Sequence, residues 1–136
     1  MPIRILVVDD RPLVRNGLKT LLRVHPEWEI VDEAEDGLEA VEKAGIVRPD
    51  VIILDVSMPV MNGLEACRLI RKSAPQSEIL IVTQHDSPQM LREAMGAGAR
   101  GFVVKANLVK DLLPAVVAVS QHRFFPASKS EAGGAE

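Results

Sequence analysis

The stretch "ILVVDDRP", residues 5–12, decides the fold. Ile5, Leu6, Val7 and Val8 form an unbroken apolar run, the mark of a strand covered on both faces. The run ends in two adjacent carboxylates, Asp9 and Asp10, followed by Arg11 and Pro12. Desolvating either carboxylate costs several kcal/mol, on the order of the usual penalty for a buried charge, unless it is paired or bound to a cation. A core strand that ends in this way either points both acids into water or holds a cation.

Working outward, β-type runs alternate with helix-period segments. The runs are Ile3–Val8, Glu29–Ala34, Val51–Leu54, Ile79–Val82 and Phe102–Val104. Between and after them lie helical segments at Pro12–Arg23, Leu38–Ile46, Leu64–Ser73, Gln89–Ala97 and Leu108–His122. In the first helix Leu13, Leu18, Leu21 and Leu22 fall on one face at helical spacing. Pro12 suits a helix start, and Pro49 and Pro75 fall in loops before the third and fourth strands. Five βα units in succession predict an α/β sandwich of three layers, a parallel sheet between helices, with short and wholly apolar strands.

Composition agrees with one globular domain. The 136 residues are 47% hydrophobic and 26% charged, enough for a real core and too apolar for disorder. The net charge of −3 provides no electrostatic footprint for nucleic acid. The single cysteine, Cys67, excludes an internal disulfide, fits a reducing cytoplasm, and reads as core filler in the third helix. No stretch resembles a signal peptide or a membrane span. Residues 1–125 form the domain, and the small, polar, Gly-rich residues 126–136 read as a flexible tail or the start of an interdomain linker.

In such a sheet, ligands bind beyond the carboxyl ends of the strands. Asp9 and Asp10 end the first strand, Asp55 the third, Thr83 the fourth and Lys105 the fifth. With strand order 2-1-3-4-5 the first and third strands are neighbours, so three carboxylates share a pocket with a hydroxyl and an ammonium. Clustered carboxylates raise one another's pKa unless positive charge compensates. Lys105 supplies one charge and a divalent cation two more. Hard oxygen ligands, few in number, favour Mg²⁺, with room left for water and a phosphate. Asp55 is then a candidate nucleophile for an aspartyl phosphate, with Lys105 and Thr83 on the phosphoryl oxygens.

These residues, in this order, resemble the receiver domains of two-component response regulators. The resemblance rests on "VVDD", "ILDVSMPVMNG", Thr83, Phe102 and Lys105 and runs from about Ile3 to Phe125. It implies a flavodoxin-like (βα)5 fold and Asp55 as phosphoacceptor. It implies Asp10 as the direct Mg²⁺ ligand, Asp9 as its helper through water, and the backbone carbonyl of Ser57 as a further contact. Lys105 would pair with the phosphoryl group, and Thr83 would bond to it and move together with the switch aromatic Phe102. The domain would catalyse its own phosphorylation and dephosphorylation without a separate substrate. The phosphodonor would be a sensor histidine kinase, and the response would reach the face of the fourth helix, fifth strand and fifth helix. The segment "GARGFVVKANLVKDLLPAVVAVSQHRFF" looks most like receivers joined to LuxR-type helix-turn-helix outputs. DNA would then be reached only through an output domain absent from this chain, and phosphorylation would allow a homodimer. A stand-alone receiver working by protein–protein interaction is the alternative.

Three positions depart from the family pattern. Ala106 follows Lys105 where many receivers carry proline, Gln84 is larger than the usual residue after the threonine, and Phe102 replaces the common tyrosine. His85 reads as a loop residue. A haloacid dehalogenase-type phosphatase would need a second aspartate two residues after the nucleophile, and Ser57 stands there. A flavin-binding module is weaker still, because the chain has no tyrosine and its one tryptophan, Trp28, precedes the second strand.

Overall fold

The computed structural model describes residues 2–126. Strands β1 (Arg4–Val8), β2 (Glu29–Ala34), β3 (Val51–Asp55), β4 (Glu78–Thr83) and β5 (Gly101–Val104) alternate with helices α1 (Pro12–Leu22), α2 (Gly37–Val47), α3 (Gly63–Ser73), α4 (Pro88–Gly96) and α5 (Leu108–Ser120). A single 3-10 turn, Lys105–Asn107, joins β5 to α5. The sheet has five strands in the order β2-β1-β3-β4-β5, every pair parallel. This is the predicted flavodoxin-like sandwich. Among the described residues no helix is long and apolar enough to cross a membrane.

The apolar runs become strands because helices cover both faces of the sheet. Alternate side chains feed two separate cores. Leu6, Val8, Ile52, Leu54, Ile79 and Ile81 pack on one side, and Ile5, Val7, Val51, Ile53, Leu80 and Val82 on the other. Each fully buried aliphatic side chain contributes about 1.5–3 kcal/mol, so this double layer dominates stability. Helix starts are fixed by local chemistry. The side chains of Asp36, Asn62 and Ser87 accept hydrogen bonds from the N–H groups of Glu39, Glu65 and Met90, each cap contributing about 1 kcal/mol.

Three details differ from the sequence expectation. Leu13 is 85% exposed, and α1 packs on the core through buried Leu18 and Leu22 with partly buried Val14 and Leu21. Leu13 lies five residues before Leu18, about 140° away around the helix and so off that face. β2 is not wholly apolar, because it is an edge strand with only Ala34 buried and can carry Glu29, Asp32 and Glu33. α5 stops at Ser120 rather than His122. His122 takes a left-handed φ of 62°, and the N–H of Arg123 donates to the carbonyl of Ala118, which closes the helix.

Beyond that stop the chain turns back along the sheet. Gly101 and Phe125 form a parallel bridge, with Phe102 N–H donating to Phe125 O at 2.7 Å and Phe125 N–H to Arg100 O at 3.1 Å. The Arg100 guanidinium lies 4.6 Å from the Phe124 ring centroid. The buried Glu78 carboxylate anchors this end of the domain, facing Arg71 at 3.1 Å, Arg100 at 3.4 Å and His122 at 2.6 Å. Residues 127–136, read from the sequence as a tail or linker, lie outside the described residues.

Candidate metal and phosphoryl site

Parallel strands bring their carboxyl ends to one edge, and the order of the sheet sets β1 beside β3. Val8 pairs with Leu54, one residue short of Asp9 and Asp55 respectively. Asp55 in turn pairs with Val82, and Thr83 with Val104, just before Lys105. The acids of β1 and β3 and the polar ends of β4 and β5 therefore share one edge, as the spacing predicts.

Asp9, Asp10 and Asp55 each offer a carboxylate oxygen to a group whose atoms all lie within 4.8 Å of one another. Lys105 Nζ reaches Asp9 Oδ2 at 3.2 Å and Asp55 Oδ1 at 3.6 Å. Asp9 and Asp55 are almost fully buried. The Lys105–Ala106 bond is trans, and the lysine still enters the site without the proline that many receivers carry.

The oxygens are not equivalent. Asp9 Oδ1 accepts the Arg11 N–H at 2.9 Å while Oδ2 faces Lys105. Asp10 Oδ1 is buried and has no hydrogen-bond partner. A buried carboxylate oxygen without a partner is costly. One oxygen from each of Asp9, Asp10 and Asp55 makes a set of three hard donors that fits Mg²⁺, which keeps the rest of its shell for water and phosphate.

Burial pushes the Asp55 carboxyl above its ordinary range, and Asp9 adds to the shift. Lys105 and the N–H groups of Val56 and Ser57 oppose it. Asp55 is thus a desolvated carboxyl whose charged form a bound cation would favour. Gly63 opens α3 directly behind it, where a Cβ would run into the Asp55 carbonyl, and the Gly63 N–H donates to Val56 O at 2.9 Å. The "MPVMNG" turn therefore packs against the backbone of Asp55. Val60 within it takes a φ of 69°, uncommon for a β-branched residue.

Thr83 is buried at the end of β4, and its Oγ1 accepts the His85 N–H at 3.1 Å. Gln84 and His85 are exposed, as is Ser57. Phe102 is 7% exposed and pairs with Ile81, two positions before Thr83. It borders a cavity of about 430 Å³ between α4, β5 and the start of α5, with Leu91, Val104 and Phe125 also on its wall. Cys67 is buried in α3, its thiol pushed up to about 12 by desolvation, which leaves it inert. The sequence reading missed Arg15, whose Nη1 donates to the Asp9 carbonyl at 2.6 Å. Nothing in the local pattern marks it, since its other partner, Glu33, is on β2.

Known proteins share this fold. The family model described as "Response regulator receiver domain" matches residues 5–117. The transcriptional regulatory protein LnrK of Bacillus subtilis is 36% identical over 86% of this chain and 53% of its own length. The DNA-binding transcriptional activator DevR/DosR of Mycobacterium tuberculosis is 39% identical over 81% of this chain and 54% of its own. The chain spans about half the length of these curated relatives. Among solved structures, a LuxR-family two-component response regulator from Aurantimonas superposes with a TM-score of 0.87 at 33% identity, covering 98% of this chain and 97% of that one. The response regulator domain of Thermotoga maritima CheB superposes with a TM-score of 0.83 at 35% identity, covering 89% of this chain and 98% of that one.

Proposed function

The chain belongs to the response regulator receiver domain family, and from that premise we propose that it is a switch set by phosphorylation of Asp55. The single observation that carries the reading is the acidic group itself: a buried, cation-poor Asp55 beside Asp9, Asp10 and the Lys105 ammonium. The phosphodonor is a sensor histidine kinase. An Asp55 carboxylate oxygen attacks phosphorus, the donor's phosphorus–nitrogen bond breaks, and the donor imidazole leaves with its electron pair. Mg²⁺, held by Asp9, Asp10, Asp55 and the Ser57 backbone carbonyl, would supply the charge that lets one anion approach another. Lys105 neutralises an oxygen of the transferred group, and the Thr83 hydroxyl donates to another.

The chain promotes its own phosphoryl transfer and hydrolysis and turns over no separate substrate. Thr83 leaves its contact with the His85 N–H when it bonds the phosphoryl group. β4 and β5 are paired at Ile81–Phe102 and Thr83–Val104, so that displacement reaches Phe102, and the cavity beside its ring provides room to respond. The response appears on the face made by α4, β5 and α5, where it controls a DNA-binding output outside these 136 residues or supports a phosphorylation-dependent homodimer. The curated relatives are named as transcriptional regulators and extend well beyond the matched region, which supports the first of these. A cytoplasmic setting follows from a histidine kinase donor. The test is phosphoryl uptake from acetyl phosphate, read by intact mass with and without Mg²⁺. One phosphoryl group is expected with Mg²⁺ and essentially none with chelator; equal uptake in both would contradict the reading.

A further inference from the structure

Asp10 carries the unpartnered oxygen of the site, yet it sits outside any regular element, between β1 and α1. Its aim depends on the peptide that joins it to Asp9. The carbonyl of that peptide accepts a hydrogen bond from Arg15 Nη1 at 2.6 Å. The same guanidinium donates through Nε to Glu33 Oε1 at 3.0 Å, and the other Glu33 oxygen takes Lys19 Nζ at 2.7 Å. Arg15 therefore spans from β2 to the acidic loop while its own backbone belongs to α1. Its side chain is 15% exposed, whereas that of Glu33 is 36% exposed, so the guanidinium end of the arrangement is the more shielded from competing water.

We propose that Arg15 is a positioning residue for the metal ligand Asp10, its guanidinium fixing the Asp9–Asp10 peptide against β2 so that the Asp10 carboxylate is aimed into the site. The inference rests on the reading of the acidic group as a Mg²⁺ site. A guanidinium presents donors in a rigid planar fork, here Nε–H to Glu33 and an Nη1–H to the carbonyl, which a lysine ammonium does not reproduce. Outer partners of this kind typically govern metal affinity by about 10–100-fold. Glu33 offsets the charge: hydrogen bonds from Lys19 first, and from Arg15, hold its carboxyl below the usual range, so it stays ionised.

The sign of the effect separates positioning from electrostatics. Were Arg15 only a nearby cation, removing it would tighten Mg²⁺ binding, because one repulsive charge is gone. Positioning demands the reverse. Mg²⁺ affinity is measured by calorimetry on the whole chain, alongside the Tm without Mg²⁺, for wild type, Arg15→Ala, Arg15→Lys, Lys19→Ala and Asp10→Ala. Arg15→Ala and Arg15→Lys should each weaken binding by about tenfold. Lys19→Ala, which touches only the far oxygen of Glu33, should stay within about twofold even where its Tm falls. In an Asp10→Ala background, Arg15→Ala should add little, because the effect passes through Asp10. If Arg15→Ala is too unstable to measure, Arg15→Lys carries the comparison. Mg²⁺ binding in the Arg15 variants as tight as in wild type, or tighter, overturns this inference alone. A wild type that binds no Mg²⁺ overturns the metal reading and this inference with it.

Discussion

The ammonium of Lys105 lies 3.2 Å from Oδ2 of Asp9, closer than its 3.6 Å approach to Asp55. With Arg11 N–H on the other Asp9 oxygen, both oxygens of Asp9 are engaged by the protein. Asp10 keeps one buried oxygen without a partner. The two neighbouring acids are therefore expected to differ as ligands. Asp10→Ala should weaken Mg²⁺ binding by at least about tenfold, and Asp9→Ala distinctly less. Calorimetric titration checks this; equal losses in the two variants would remove the distinction.

The raised pKa of Asp55 makes its charge a burden on the folded state. A carboxyl whose folded pKa exceeds its unfolded value binds its proton more tightly when folded. Its unfavourable contribution is fully present above the folded pKa and disappears as pH falls below the unfolded one. Asp55→Asn is accordingly expected to raise the Tm measured without Mg²⁺ at neutral pH, on the order of a few degrees. The advantage over wild type should shrink as pH falls through the raised pKa toward the ordinary carboxyl value of 3.8. Paired melts of the two proteins across this range provide the readout, and an advantage independent of pH would point to packing rather than charge.

Val60 stores strain in the turn between β3 and α3. Its φ of 69° costs a β-branched residue about 1–2 kcal/mol, and its side chain, 77% exposed, recovers little by burial. Val60→Gly relieves that cost but loses some through the freer unfolded chain. The expected net change is a stabilisation of up to about 1 kcal/mol in urea denaturation. A clear loss of stability would show that the Val60 side chain makes a contribution its exposure does not reveal.

The alternation of apolar runs and helical segments was legible because helices cover both faces of this sheet. The strand-end acids were legible because a parallel sheet sends every carboxyl end to one edge. Asp9, Asp10, Asp55 and Lys105 needed no knowledge of side-chain geometry to be placed together. Other features leave no periodic trace. The acids of β2 are tolerated because that strand is an edge. The bridge from Gly101 to Phe125 is made by backbone groups that every residue carries. Arg15 acts through a carbonyl and through a glutamate 18 positions away, so its role appears only once β2 lies beside β1.

The most direct measurement is to locate the phosphoryl group. The chain is treated with acetyl phosphate and Mg²⁺, the acyl phosphate is trapped by reduction with borohydride, and the modified peptide is sequenced by mass spectrometry beside an Asp55→Asn control. The account predicts one modified position, Asp55, and no label in the control. A label on Ser57 or on a histidine, or a control that is modified as fully as wild type, would contradict it.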